Sequence, residues 1–341
     1  MSALPAAFRP RGAGTGIGSM PHTGVAECVD AAVSACPDLP FWPTRPLAAA
    51  AEQMIRQWAL GLPGVGEAPR GGPGGPRAGG PGGAPLAWVG RDRVAGRPGL
   101  VAEAAETLER FLRVLALRPG GWLKLQATGP VTLALELEAG GRRTFAVPSA
   151  RGPLALGYAA RIRSVVTRVR EALPAWKVLL VLDEPSLASP VVAERPQVAL
   201  ELWRSLGATG ADVTGLHCCA TAPWGVVLDL DPQLVSFDAV RDGDAATDDP
   251  AFRRLVESGS AVAWGLVPAG GGLDGSDPDA LADRLLDLVE WTAGDYLPEV
   301  LARSLVTPTC GLASSTRDEA TRRLALASSV GPRAWELAGL P

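Results

Sequence analysis

Eight short apolar runs alternate with helix-forming stretches along this chain of 341 residues, and that alternation restricts the fold more than any other feature. The runs centre on Ile17, Trp42, Leu123, Leu180, Val213, Val235, Val262 and Leu305. The clearest, Val178-Leu179-Leu180-Val181-Leu182 and Ala261-Val262-Ala263-Trp264-Gly265-Leu266-Val267, are apolar at every position, the pattern of strands buried on both faces. Between them lie segments with helical spacing, such as Val101, Ala104, Ala105, Leu108, Phe111, Leu112 and Leu115 within Gly99 to Leu117. Further helices are expected over Val25 to Ala35, Leu47 to Leu60, Pro153 to Leu173, Pro278 to Ala293 and Arg317 to Ser329. A helix after each strand argues for a parallel sheet, and eight such units argue for α/β architecture of one kind: a single (β/α)8 TIM barrel over residues 1–341. An open doubly wound sheet is the alternative.

One stretch breaks the pattern. Residues 61–85, GLPGVGEAPRGGPGGPRAGGPGGAP, hold almost no apolar side chain to offset the entropy of ordering them. They are expected to form a disordered Gly/Pro-rich surface insertion that interrupts the barrel without dividing it.

Composition excludes several classes of partner. With a net charge of −4, the chain has no general attraction for nucleic acid or an anionic membrane surface. Its longest wholly apolar runs are far shorter than the roughly 20 residues that span a bilayer. The five cysteines, two of them adjacent at 218 and 219, make a poor disulfide framework, so a cytoplasmic setting is expected.

In a barrel the chemistry gathers at the carboxyl ends of the strands. Those ends carry Ser19, Thr128, Asp183, Glu184, His217, Cys219, Asp238 and Cys310. In Thr214-Gly215-Leu216-His217-Cys218-Cys219, residues i and i+2 share a strand face, so His217 and Cys219 can address one target while Cys218 turns away. Imidazole and thiolate are ligands that zinc takes readily. A distant third ligand, Cys310, and a carboxylate, Asp238, would complete a set of N, S and O donors for Zn2+. Each also has a plain structural role open to it: a core histidine, small buried thiols, a turn-capping aspartate. Asp183 and Glu184, being consecutive, should face opposite ways, one of them able to hold an ammonium group and the other an ion pair or helix cap. Gly14-x-Gly16-x-x-Ser19 lacks the third glycine of a dinucleotide loop, and Ser19 lacks the G-x-S-x-G context of a hydrolase.

Gly18-Ser19-Met20-Pro21, Gln126-Ala127-Thr128-Gly129-Pro130-Val131-Thr132, Leu182-Asp183-Glu184-Pro185, His217-Cys218-Cys219, Val235-Ser236-Phe237-Asp238 and Pro308-Thr309-Cys310-Gly311-Leu312 follow one another in an order that resembles the catalytic barrel of cobalamin-independent methionine synthase. The wider superfamily includes uroporphyrinogen decarboxylase. The resemblance spans residues 18–312. It implies a zinc-dependent methyltransferase moving a methyl group to a thiol, homocysteine, to give methionine. It also implies His217, Cys219 and Cys310 as metal ligands acting in catalysis, with Asp238 where the family usually has a glutamate. Ser19 and Asp183 fall where the family holds the backbone carboxylate and amine of homocysteine, and Glu52 is the nearest candidate for a second amine-binding carboxylate.

The chain departs from the two-barrel enzymes in lacking their N-terminal barrel, and its Trp264-Gly265-Leu266-Val267-Pro268-Ala269 segment lacks their folate-side histidine. The expected methyl donor is therefore either methyltetrahydrofolate or a methylcorrinoid. The alternatives are a corrinoid-dependent methyltransferase for another thiol and a non-catalytic barrel that binds a thiol or a metal.

Overall fold

Six of the eight apolar runs read from the sequence join one parallel sheet in the computed structural model, which describes residues 3–67, 86–90, 99–273 and 277–340; the run at Ile17 lies just after the first strand, Ala13–Gly14, rather than in it. The strands of this sheet are β1 (Ala13–Gly14), β2 (Gly121–Thr128), β3 (Trp176–Asp183), β4 (Val213–Cys218), β5 (Leu234–Asp238), β6 (Ala261–Val267) and β7 (Ser304–Pro308). They lie in the order β1-β7-β6-β5-β4-β3-β2, every pair parallel. The sheet thus has seven strands rather than the expected eight, and it is not closed.

The missing strand is the one expected at Trp42. Residues 41–44 lie between the two sheet edges but touch them only at isolated parallel bridges, Phe41 to Lys124 and Ser19 to Thr44. Four backbone hydrogen bonds mark the seam: Trp42 N–H to Lys124 O (2.9 Å), Lys124 N–H to Pro40 O (2.9 Å), Thr44 N–H to Gly18 O (3.0 Å) and Met20 N–H to Thr44 O (2.8 Å). Pro40 and Pro43 have no N–H to donate, which stops a continuous ladder there.

Period-two alternation divides the side chains between two cores. Leu179, Val181, Val213, Leu234, Ala261, Ala263 and Leu305 pack together on one face, with Phe8 and Leu39. Val178, Leu180, Leu182, Leu216, Val235, Phe237, Val262, Trp264 and Val306 pack on the other, against the helices. Phe8 meets Trp122 edge-on at 4.7 Å between ring centroids. Of the expected helices, Val25–Ala35 and Pro278–Ala293 are present with those bounds. The expected Leu47 to Leu60 helix is instead a 3-10 turn, Ala50–Glu52, and a short helix, Met54–Ala59, parted by Gln53 in extended conformation. The last helix, Arg317–Leu337, opens on a capping box between Thr316 and Glu319. It lies against the first strand so closely that a Cβ on Gly331 would sit 2.2 Å from Gly12 O.

The Gly/Pro-rich stretch falls outside the described residues from 68 to 85. Its opening is built into the protein: Leu62 and Val65 are buried, and Val65–Glu67 pairs antiparallel with Leu86–Trp88. No helix among the described residues is long and apolar enough to cross a membrane.

Candidate active site

The carboxyl ends of β2, β3 and β4, with the loops after β1 and β7, enclose a cavity of about 220 Å³. Ser19, Glu52, Met54, Trp58, Gln126, Thr128, Asp183, Pro185, His217, Cys219 and Cys310 are among the residues that line it, and among the described residues no lysine or arginine does.

β4 carries His217 inward with its ring buried. Nδ1 lies 2.9 Å from Ser236 Oγ on the neighbouring strand, while Nε2 is buried with no hydrogen-bond partner among the described residues. Cys219 follows on the same side, half-buried and lining the cavity. Cys218 turns the other way, into the helix-side core, where its thiol reaches Ala220 O at 3.5 Å and burial pushes it up to about 12.

Cys310 comes from the loop after β7, 91 positions beyond Cys219 in the sequence (310 − 219). Its thiol is drawn down to about 4, first by the Cys219 thiol and next by His217. The same contact pushes Cys219 upward. The three side chains converge, but short of coordination geometry: among the described residues no group of three or more His, Cys, Asp or Glu is arranged to hold a metal ion. The donors themselves suit zinc in chemistry, with one imidazole nitrogen left free by Ser236 and two sulfurs.

Asp238 does not join them. It caps the helix Ala239–Asp248, accepting from Arg241 N at 3.0 Å, with Arg241 Nη1 3.8 Å from its other oxygen, and it is not among the cavity-lining residues.

The consecutive carboxylates part company at the end of β3. Asp183 turns into the cavity and accepts from Gln126 Nε2 through Oδ1. Burial pushes it up to about 6, opposed by the charges of His217 and Lys124. Glu184 turns behind the strand, fully buried, and accepts from Val131 N (2.9 Å) and Thr132 N (2.7 Å) at the start of the helix Pro130–Glu136. Burial pushes Glu184 up to about 7 against those donors. It serves the fold rather than the cavity.

Glu52 lines the cavity but is held by Arg45, whose backbone N–H and guanidinium both donate to it. Arg45 in turn reaches Glu106 (2.9 Å) and Thr23 O (2.9 Å). Ser19 also lines the cavity, so tightly against Gly311 that a Cβ there would lie 2.0 Å from its Oγ.

Two residues with no role assigned in the sequence, Lys124 and Gln126, lie on the inner face of β2. The Lys124 ammonium donates to Gly16 O (2.8 Å), Ile17 O (2.9 Å) and Gln126 Oε1. Burial lowers Lys124 to about 7, with Asp183 opposing. The sequence carries the signal: Lys124, Gln126 and Thr128 are polar residues at period two on one face of this strand.

No family model matches the sequence, and no curated protein sequence matches it. Solved structures do resemble the fold. A B12-independent methionine synthase from Shewanella sp. W3-18-1, in complex with selenomethionine, superimposes with a TM-score of 0.50 at 15% identity, over 76% of this chain and 73% of that one. A methyltransferase from Methanosarcina mazei superimposes at 0.44 and 14% identity, over 72% of each chain. The first likeness establishes the shared fold.

Proposed function

We propose that this chain is a zinc-dependent methyltransferase that moves a methyl group to the thiol of homocysteine, giving methionine. The observation that carries this reading is the convergence of His217, Cys219 and Cys310 on a cavity that also presents Ser19 and Asp183. The reaction named for the Shewanella enzyme, which shares the fold, matches that thiol-bearing cavity.

His217 through Nε2, with the sulfurs of Cys219 and Cys310, would hold the metal. Ser236 holds the ring through Nδ1 and leaves Nε2 for a metal. Asp238 could join only by giving up its helix cap, which leaves the fourth position to the substrate sulfur. Zinc bound there would lower the pKa of an incoming thiol, supplying a thiolate at neutral pH.

The chain's own side chains then bind and orient. Asp183, whose second oxygen accepts no hydrogen bond from a described residue, receives the substrate ammonium. The Ser19 hydroxyl donates to the substrate carboxylate. Met54, Trp58 and Pro185 exclude water from the reacting sulfur. The new sulfur–carbon bond forms as the methyl leaves its carrier, a methyltetrahydrofolate or a methylcorrinoid. Both are small-molecule partners, and no nucleic acid or membrane enters the scheme.

The wall around the cavity is read as a (β/α)8 barrel in which residues 41–44 stand in for one strand. The cysteines, all free among the described residues, suit a reducing cytoplasm. Protein purified with zinc available should contain about one zinc per chain. It should also methylate homocysteine from one of the two donors. Zinc-free protein, or no turnover with either donor, overturns the reading.

A further inference from the structure

Lys124 is almost wholly buried on the inner face of β2, below the cavity floor, and touches no substrate position. An ammonium has three hydrogens and no acceptor. Here two go to the carbonyls of Gly16 and Ile17 and the third to Gln126 Oε1. A side-chain amide has one acceptor end and one donor end, so the lysine dictates which way Gln126 lies: oxygen toward Lys124, nitrogen toward Asp183. The amide nitrogen then donates to Oδ1 of Asp183. Oδ2 is left as the acceptor turned to the cavity.

The charges alternate along this line: ammonium, amide dipole, carboxylate, and then the cavity. The other carboxylate lining the cavity, Glu52, is already matched by Arg45. Asp183 therefore faces a space that no lysine or arginine lines among the described residues.

We propose that Lys124 is a positioning residue which, through Gln126, holds Asp183 in the orientation that selects a substrate bearing an ammonium group. The inference rests on the homocysteine reading above, and it predicts that selectivity for the amine depends on a residue that never touches it. With Lys124 replaced by an apolar residue the amide loses its reason to point nitrogen-first. It can present its oxygen to Asp183, which repels the carboxylate from its place.

The test compares calorimetric binding of homocysteine and of its desamino analogue, 4-mercaptobutanoate, to the zinc-loaded full chain. Wild type should favour homocysteine by at least about tenfold, the effect of one charge-assisted hydrogen bond. In Lys124→Met that preference should collapse toward unity while 4-mercaptobutanoate binds as before, and Lys124→Arg should restore part of it. Gln126→Glu, which keeps an acceptor for Lys124 but sets a carboxylate against Asp183, should lose the preference too and serves if Lys124→Met does not fold. The Gln126 side-chain amide provides a readout without ligand: its nitrogen-bound hydrogens should be protected from exchange in wild type and exposed in Lys124→Met.

A Lys124→Met protein that keeps both the amine preference and the protected amide overturns the proposal. Wild type that binds neither thiol overturns the homocysteine reading instead, and the amide exchange then decides alone whether Lys124 orients Gln126.

Discussion

Gly129 lies directly beneath the carboxylate of Glu184: a Cβ built on it would sit 2.1 Å from Cδ. The glycine is what lets a carboxylate reach the start of the helix Pro130–Glu136 from the end of the neighbouring strand. Both atoms in that near-collision belong to well-buried groups, so neither can yield cheaply. Gly129→Ala should destabilise the protein by about 1–3 kcal/mol, the usual cost of overpacking, as measured by urea denaturation.

Glu184 also sets a pH dependence. Its carboxyl is raised from 4.5 to about 7 in the folded protein, so the fold binds this proton more tightly than the unfolded chain does. The stability it contributes is full below about 4.5 and is lost as pH rises through about 7. Glu184→Gln removes that titration. Relative to the variant, wild type should lose about 3 kcal/mol or less between pH 4.5 and 8, which parallel denaturation curves at the two pH values would show. A constant difference would count against the buried proton.

The two adjacent cysteines should behave oppositely. Cys219 faces the cavity and Cys218 the helix-side core. Cys219→Ser should therefore lose bound zinc and methyl transfer together, whereas Cys218→Ser should keep both and fall only in melting temperature. Metal content by elemental analysis, beside the activity, separates the pair.

Ser236 anchors His217 Nδ1 at 2.9 Å. Removing such an orienting partner typically weakens metal affinity about 10–100-fold. Ser236→Ala should show a loss of that size in competition with a zinc-binding dye, with stability changed little.

Arg45 holds the buried Glu52. Arg45→Met strands that carboxylate, which should cost about 3–5 kcal/mol, the range for a broken buried ion pair. Glu52→Gln, which leaves no stranded charge, should cost less, and thermal melts of the two variants test the order.

Much of this was legible in the chain itself. The apolar runs at Leu180 and Val262 could hardly be other than buried strands, and His217 and Cys219 share a face by period two alone. Other features depended on long-range context. The run at Trp42 looks like a strand, but Pro40 and Pro43 deny it the donors for a ladder. The helix Ala239–Asp248 leaves little trace in the sequence because AVRDGDAATD has little apolar periodicity; its start is fixed by the Asp238 cap, which also withdraws Asp238 from the cavity. Nothing local tells that Glu52 is neutralised by Arg45, or that Glu184 belongs to a helix fifty positions earlier. Those are facts of packing, and a single sequence carries no record of them.

The two prolines beside Trp42 bear on how a ligand gets in. Between β2 and β3 eight residues pair in unbroken register. Across the stretch that replaces a strand, four backbone bonds do the same duty. Ser19 and Thr44, which share one of its bridges, both border the cavity. This thinly paired line is thus also a lip of the pocket, where local opening would widen the entrance without breaking the longer ladders from β2 to β7.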